Sequence, residues 1–198
     1  TEYAWSEQEL VCKGFLSGIS RTPFLHYEIT YTFTEAGEMH IGLQGKVKEK
    51  CVWLQRFGFE WKVVPEAKAF TYFGRGPMEN YQDMCRHTVT DWFESNTAQE
   101  YVPYIMPQEH GNHANCKVLK LASGLEFSAD TVFEINVSDY STDALTKATH
   151  WDELIANGMT NVRIDYKDSG LGSGSCGPQL MDKYKLSEKE IIFGYTVK

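Results

Sequence analysis

Residues 24–47 read FLHYEITYTFTEAGEMHIGLQGKV, and this stretch decides the fold class. From Tyr27 to Phe33, bulky apolar residues alternate with polar ones at every second position. A period of two places the two sets of side chains on opposite faces of a β-strand. The alternation resumes from Met39 to Val47, after the turn residues 35–37. The stretch therefore predicts an antiparallel hairpin with one face toward a core.

The same period of two recurs along the rest of the chain. Helical character is confined to Thr142–Lys147, where Ser141 can cap a short helix by accepting backbone N–H bonds and Asp143 lies at the positive end of the dipole. Short strands joined by turns predict an all-β fold, an antiparallel sandwich that forms a single domain over residues 1–198. The further strands are expected around Phe57–Val63, Leu125–Ala129, Phe133–Val137, Val162–Tyr166 and Ile191–Val197.

The composition is that of a folded, acidic domain. The chain has 198 residues, 42% of them hydrophobic, and 27 acidic against 19 basic side chains give a net charge of -8. Such a composition excludes disorder, and the lack of a basic stripe argues against nucleic acid and anionic membranes as partners. The five cysteines never form C-x-x-C, which favours free thiols over a zinc site or a disulfide framework. They are Cys12, Cys51, Cys85, Cys116 and Cys176.

Three segments rich in glycine, proline and polar residues are candidates for chemistry. The first loop, residues 73–83, reads FGRGPMENYQD and places Arg75, Glu79 and Asp83 close together along the chain. Such a group can act as acid and base. We favour a structural role instead, with Arg75 paired to a carboxylate and Asn80 bonded to the loop backbone.

The second loop, residues 101–113, reads YVPYIMPQEHGNH. Its two prolines exclude a central strand. His110 and His113 are spaced H-x-x-H, without the helical spacing and the nearby third ligand of a zinc protease. We therefore expect no metal here and assign the polar groups to an ordered turn.

The third segment, the Gly-rich loop of residues 165–178, reads DYKDSGLGSGSCGP and has four glycines from Gly170 to Gly177. Such a loop can move or admit a ligand close to its backbone. It does not open a helix, so it is no dinucleotide-binding motif. Cys176 has the chemistry of a nucleophile, but no neighbouring His supports it, and we favour a structural or partly exposed thiol.

Taken together and in this order, the blocks 72–83, 104–112 and 170–178 resemble the C-terminal domain of family 2 β-galactosidases, also called the small chain. The stretch Thr149–Leu154, between the last two blocks, matches as well. The resemblance covers essentially the whole chain, and three long blocks in order are far more specific than one short motif.

The resemblance implies an antiparallel supersandwich like that of galactose mutarotases, with its first strands missing because the family's domain begins upstream of Thr1. It also implies a parent enzyme that hydrolyses terminal β-D-galactosides by a retaining mechanism, with both catalytic glutamates in a separate barrel domain. We therefore expect no catalytic residue in this chain. Alone it should be inactive, while in the parent it helps to shape the substrate pocket and the assembly.

The implied partners are the catalytic barrel domain, on the same chain or a partner chain, the β-galactoside substrate, and further copies of the parent in a homo-oligomer. We expect no cofactor and no metal in this chain, and a magnesium or sodium ion used by the parent would lie in its other domains. The expected compartment is cytoplasmic or periplasmic, with any leader outside these residues.

The resemblance assigns the Gly-rich loop to the substrate pocket through Gly174, Ser175, Cys176 and Gly177. Cys176 stands where well-studied members carry a tryptophan that stacks on the sugar. A thiol has no flat apolar face, so we expect this loop to act through its shape and backbone. Seven further residues are expected to shape loops or to face other domains, without a catalytic role: Arg75, Glu79, Asn80, Asp83, Gln108, Glu109 and Asn112.

Two alternatives stay open. One is an autonomous carbohydrate-binding module. The other is a mutarotase-like epimerase, which needs a His acid and a carboxylate base at the sugar ring. Four histidines are candidates for that acid: His87, His110, His113 and His150.

Overall fold

The chain is built almost entirely from antiparallel strands. The computed structural model describes residues 1–50, 53–170 and 178–198. Across these ranges no helix is long and apolar enough to cross a membrane. The described strands are β1 (Glu2–Trp5), β2 (Glu9–Leu16), β3 (Leu25–Phe33), β4 (Met39–Val47), β5 (Arg56–Val63), β6 (Ala69–Gly76), β7 (Val89–Asn96), β8 (His113–Leu121), β9 (Glu126–Ser138), β10 (Thr160–Asp168) and β11 (Glu190–Val197). The helices are α1 (Thr97–Glu100) and α2 (Thr142–Lys147), with 3-10 turns at Pro65–Lys68, Trp151–Glu153 and Asp182–Tyr184.

The strands form one hydrogen-bonded sheet that folds over on itself. The main path runs β1-β2-β3-β4-β11-β9-β8-β6-β7, and β10 pairs with both β9 and β5. The first part of β9 pairs with β11 and its second part with β10, so this strand belongs to both layers. β5 packs against β11, where the Trp61 indole donates to the Tyr195 hydroxyl at 3.1 Å. The all-β, antiparallel sandwich expected from the sequence is confirmed.

Aromatic rings fill the space between the layers. Phe127, Phe133 and Tyr195 are fully buried, and the rings of Phe133 and Tyr195 meet edge to face with centroids 6.4 Å apart. Phe59 of β5 meets Tyr195 in the same manner at 5.8 Å. Each ring removes roughly 150–250 Å² from water, so these contacts supply much of the stabilisation of the sandwich.

The predicted hairpin and the predicted helix are both present. β3 and β4 pair in register from Phe33 opposite Met39 to Leu25 opposite Val47. Gly37 has a φ of 82° in the connecting turn, a conformation that favours glycine. The Ser141 hydroxyl accepts the backbone N–H of Ala144 at 3.2 Å and so caps α2.

Three boundaries differ from the prediction. The two strands predicted within residues 125–137 are one strand, β9, whose apolar pattern is interrupted only by the exposed residues 130–132. Residues 73–76 of the first loop belong to β6, which is held on both sides by β7 and β8. Asp165 to Asp168 of the Gly-rich loop belong to β10. Gly74 lies within β6 and does not end it. Its lack of a side chain lets Cys116 of β8 pack directly against this position of the strand.

Candidate functional site

The first and second loops hold each other through reciprocal hydrogen bonds. The Asn80 backbone N–H donates to the Asn112 carbonyl at 2.7 Å, and the Asn112 side-chain amide donates to the Asn80 carbonyl at 3.0 Å. Glu79 spans the same gap, because its carboxylate accepts the Tyr104 hydroxyl at 3.0 Å and the Gly111 N–H at 2.8 Å. We call this arrangement of Glu79, Asn80, Tyr104, Gly111 and Asn112 the loop clasp.

Asn80 is the centre of the loop clasp. Its side chain is fully buried. Its amide donates to the carbonyls of Arg75 and Met78, each at 3.0 Å, and its oxygen accepts the Ala114 N–H at 2.9 Å. The predicted bonding of Asn80 to the loop backbone is confirmed. The predicted ion pair of Arg75 is wrong for the described residues, where Arg75 instead lies on β6 opposite Thr90 and contributes its carbonyl.

The loop clasp continues inward to a buried carboxyl group. Glu134 of β9 accepts the Gln82 amide at 2.9 Å and the Asn112 amide at 2.8 Å. Burial raises the pKa of Glu134 to about 7, against the opposing effect of these two donors. The network therefore joins both loops to the central strand of the sheet.

Glu109 of the second loop connects two arginines, Arg163, which is buried, and Arg56, which is partly exposed. Arg56 of β5 lies 2.9 Å from one of its oxygens, and Arg163 of β10 lies 2.6 Å from the other. Arg56 also faces Asp165 at 3.4 Å. Burial raises the pKa of Asp165 to about 6, while the two guanidinium groups act in the opposite direction. We call Arg56, Glu109, Arg163 and Asp165 the ion-pair cluster.

Asp168, at the end of β10, lies behind the ion-pair cluster and is only 2% exposed. Burial raises its pKa to about 9, and the negative charges of Glu109, Glu134 and Asp165 add to that effect. Within the described ranges its Oδ1 atom has no hydrogen-bond partner. Together with Arg56 and Glu109, Asp168 lines a cavity of about 470 Å³. Gln108 lines it as well, at its exposed rim.

The base of the Gly-rich loop meets the first loop at Asp83. A side chain at Gly170 would overlap the Asp83 carboxyl group, so these two residues are in close contact. The predicted pocket residues Gly174, Ser175, Cys176 and Gly177 lie outside the described residues. Their role, and the proposed roles of the seven loop residues toward a substrate or another domain, stay predictions.

The histidines of the second loop face inward. His113 Nε2 lies 2.8 Å from Glu100 Oε2, and its Nδ1 lies 3.0 Å from the Tyr72 hydroxyl. His110 Nδ1 donates to the Gln108 carbonyl at 2.8 Å. Both side chains are buried. In the described ranges, no three or more His, Cys, Asp or Glu side chains group in a way that could hold a metal ion.

Three charged residues of the site were not predicted from the sequence: Arg56, Glu134 and Arg163. Period-two reasoning assigns one face of a strand to solvent, and Glu134 and Arg163 fall on that face. Where β9 and β10 pair, both faces of each strand are buried. Every residue from Phe133 to Ser138 and from Thr160 to Asp165 is buried. In the sequence, Glu134 and Arg163 each lie between two bulky apolar residues. This pattern fits an exposed charged residue as well as a buried one, unless it is known what covers the outer face of the strand.

Sequence comparison relates the whole chain to one family. The family model described as the β-galactosidase small chain matches residues 3–197. A β-galactosidase from Actinobacillus pleuropneumoniae is 33% identical over 100% of this chain, and one from Staphylococcus xylosus is 30% identical over 89%. One from Kluyveromyces lactis is 31% identical over 72%. The alignments span 20%, 18% and 14% of these relatives, so the chain corresponds to a small part of each.

Structural comparison agrees on the fold. A GalM/aldose epimerase homologue from C. elegans superposes with a TM-score of 0.51 and 9% identity, over 100% of this chain and 67% of that one. The likeness shows a galactose mutarotase-like fold, as the resemblance implied.

Proposed function

The chain belongs to the β-galactosidase small-chain family, and from this premise we propose that it is a non-catalytic domain of a larger enzyme that hydrolyses terminal β-D-galactosides. One observation carries the proposal: the family match extends over residues 3–197, while the β-galactosidases it resembles are about five times longer or more. A separate barrel domain, on the same chain or on a partner chain, would carry out the chemistry.

The bonding of the loop carboxylates supports a non-catalytic role. A retaining glycosidase needs two carboxyl groups about 5–5.5 Å apart that both reach the sugar. Glu79 is bonded to Tyr104 and Gly111, and Glu109 to two arginines. These bonds occupy the carboxylate oxygens and hold both groups in place, so neither is free to act as the acid/base or the nucleophile on a sugar.

The loop clasp gives the domain a role in the parent enzyme. The first and second loops are hydrogen-bonded to each other, and Asp83 of the first loop contacts Gly170 at the base of the Gly-rich loop. These contacts form a support for the Gly-rich loop. We propose that this support directs the Gly-rich loop toward the substrate pocket and helps the homo-oligomer of the parent enzyme to assemble. The proposal includes no cofactor in this chain and a cytoplasmic or periplasmic location.

The test is turnover of nitrophenyl β-D-galactoside by three proteins: the purified chain, the full product of its gene, and that product without this segment. We expect turnover by the full product alone. Adding the purified chain to the shortened product should restore some turnover if the two parts associate. Turnover by the chain alone that disappears in Glu79→Gln or Glu109→Gln would overturn the proposal, and so would full turnover by the shortened product.

The same samples test the epimerase alternative. Among the four candidate histidines, the shortest His–carboxylate contact in the described residues is that of His113 with Glu100 at 2.8 Å, and both side chains are buried. A buried pair cannot transfer protons to a sugar, so polarimetry of freshly dissolved α-D-galactose should show no acceleration of mutarotation by the chain.

A further inference from the structure

We propose that the cavity lined by Arg56, Glu109 and Asp168 binds one neutral pyranose sugar. The proposal deepens the proposed function and rests on it only for the choice of galactose as the probe. It concerns the described residues of this chain and needs no contribution from a barrel domain.

The cavity has the size and the rigidity of a small-molecule site. Its volume of about 470 Å³ lies within the range of roughly 300–1,000 Å³ that such sites occupy. Its floor is fixed, because Arg56 is bonded to Glu109 at 2.9 Å and to the Thr142 hydroxyl at 3.2 Å. The Thr142 hydroxyl donates in turn to Glu60 at 2.9 Å. A pre-organised floor lowers the entropy cost of binding.

The charges of the lining favour an uncharged ligand. The ion-pair cluster carries little net charge, because Glu109 and Asp165 lie against Arg56 and Arg163. A pKa of about 9 leaves Asp168 as a neutral carboxylic acid at pH 7. A carboxylic acid donates one hydrogen bond and accepts others, which is the pairing that a sugar hydroxyl needs. Because the lining carries little net charge, phosphates and metal cations are poorer candidates than a polyol.

One buried atom points to a missing partner. Asp168 is 2% exposed, and its Oδ1 atom has no hydrogen-bond partner in the described part of the chain. A buried polar atom without a partner costs about 1–3 kcal/mol in folding. Asp168 lines the cavity, and a rotation of its carboxyl group toward the cavity would let a ligand hydroxyl satisfy this atom.

The remaining walls match the two faces of a pyranose. Met106, Pro107 and Leu145 give an apolar side for ring C–H groups. The amides of Gln55 and Gln108 lie at the exposed rim, and each can donate and accept hydrogen bonds. An apolar wall with a few fixed polar groups is the usual make-up of a small-molecule pocket.

The test is a titration of the ¹⁵N-labelled chain with D-galactose, followed by amide chemical shifts. We expect saturable shifts with a Kd on the order of 1–10 mM, centred on Arg56, Thr142 and Asp168. Met106→Arg fills the mouth from a side chain that is 63% exposed, so the fold should be kept and the affinity should fall at least about tenfold. Met181→Arg is the matched control, since Met181 is 58% exposed and does not line the cavity, and it should bind as the parent does.

Either of two results would overturn the inference. One is the absence of saturable shifts at galactose concentrations up to 100-fold above the expected Kd. The other is equal affinity for galactose in Met106→Arg and the unmodified chain. Binding by the chain is measured without turnover, so the two proposals fail separately. A chain that is needed for hydrolysis but does not bind galactose removes this inference alone. A chain that binds galactose but is dispensable for hydrolysis removes the proposed function alone.

Discussion

Replacing Glu109 by Gln should destabilise the domain by about 3 kcal/mol, because one carboxylate compensates two arginines. Arg163 is only 3% exposed, and its contact with Glu109 is 2.6 Å long. Gln keeps one acceptor oxygen and turns an NH₂ group toward the second guanidinium. One charge-assisted bond is lost, at about 1.5–3 kcal/mol, and the charge of a buried arginine loses part of its compensation, for which the range is about 3–5 kcal/mol.

We place the expected loss at the lower end of that range for two reasons. The Glu109 and Arg56 side chains are 19% and 21% exposed, so water screens part of the interaction. Arg56 also keeps Asp165 at 3.4 Å. The assay is urea unfolding at pH 7, followed by tryptophan fluorescence, with the free energy of unfolding extrapolated to water.

The matched control is Asp143→Asn in the exposed ion pair with Lys147 on α2. Both side chains of this pair are more than 70% exposed. Exposed pairs at i,i+4 contribute about 0.3–0.5 kcal/mol, so the control should lose no more than that. A loss below about 1 kcal/mol for Glu109→Gln, with an unchanged m-value, would refute the reasoning, because the cluster would then behave like a surface pair.

Three further results are expected. Asn80→Ala should cost about 2–4 kcal/mol in the same assay, because three hydrogen bonds to the backbone are lost in a fully buried place. Gly170→Ala should cost more than about 1 kcal/mol, because its methyl group would displace the Asp83 carboxyl. Asp168→Asn should flatten the pH dependence of stability, because a folded pKa of about 9 lies above the unfolded value of 3.8. The stability from this proton is complete below pH 4 and is lost as the pH rises to 9.

Each of the three has its own control. Gln99→Ala removes an exposed amide of α1 and should be neutral, so an Asn80→Ala cost no larger than this would contradict the role of the loop clasp. Gly42→Ala meets only a ring atom of His40 at 3.7 Å, and it should be tolerated where Gly170→Ala is not. For Asp168→Asn, urea midpoints at pH 5, 7 and 9 that decline as steeply as those of the unmodified chain would show that this carboxyl does not hold its proton.

Periodicity predicted the hairpin β3–β4 because its two faces differ: one face packs in the core, and the other carries polar residues. The same reasoning divided β9 into two short strands, because the exposed residues 130–132 interrupt its apolar pattern, and it missed that both faces are buried from Phe133 to Ser138. The short helix α2 was predictable because Ser141 and its N-terminal bonds are local. Asn80 was predictable as a loop-bonding residue for the same reason, since two of its partners lie within five positions.

The ion-pair cluster was not predictable in this way. Arg56, Glu109 and Arg163 lie more than fifty positions apart in sequence, and the sheet path brings them together only because β10 pairs with β5. Local chemistry carries no information about such a meeting. The blocks that resemble the family include part of the second loop, but the arginines that bind it lie outside those blocks.

The position of β11 has a consequence for biosynthesis. This strand pairs with β4 on one side and with β9 on the other, so it fills a gap in the middle of the sheet. Until residues 190–197 have left the ribosome, β4 and β9 each present an unpaired edge lined with Ile41, Leu43 and Phe127. Unpaired edges beside apolar side chains promote intermolecular strand pairing. Nascent or truncated chains that stop before Glu190 should therefore accumulate as aggregates or become chaperone clients, whereas the loss of β1, at the edge of the sheet, should leave the product soluble.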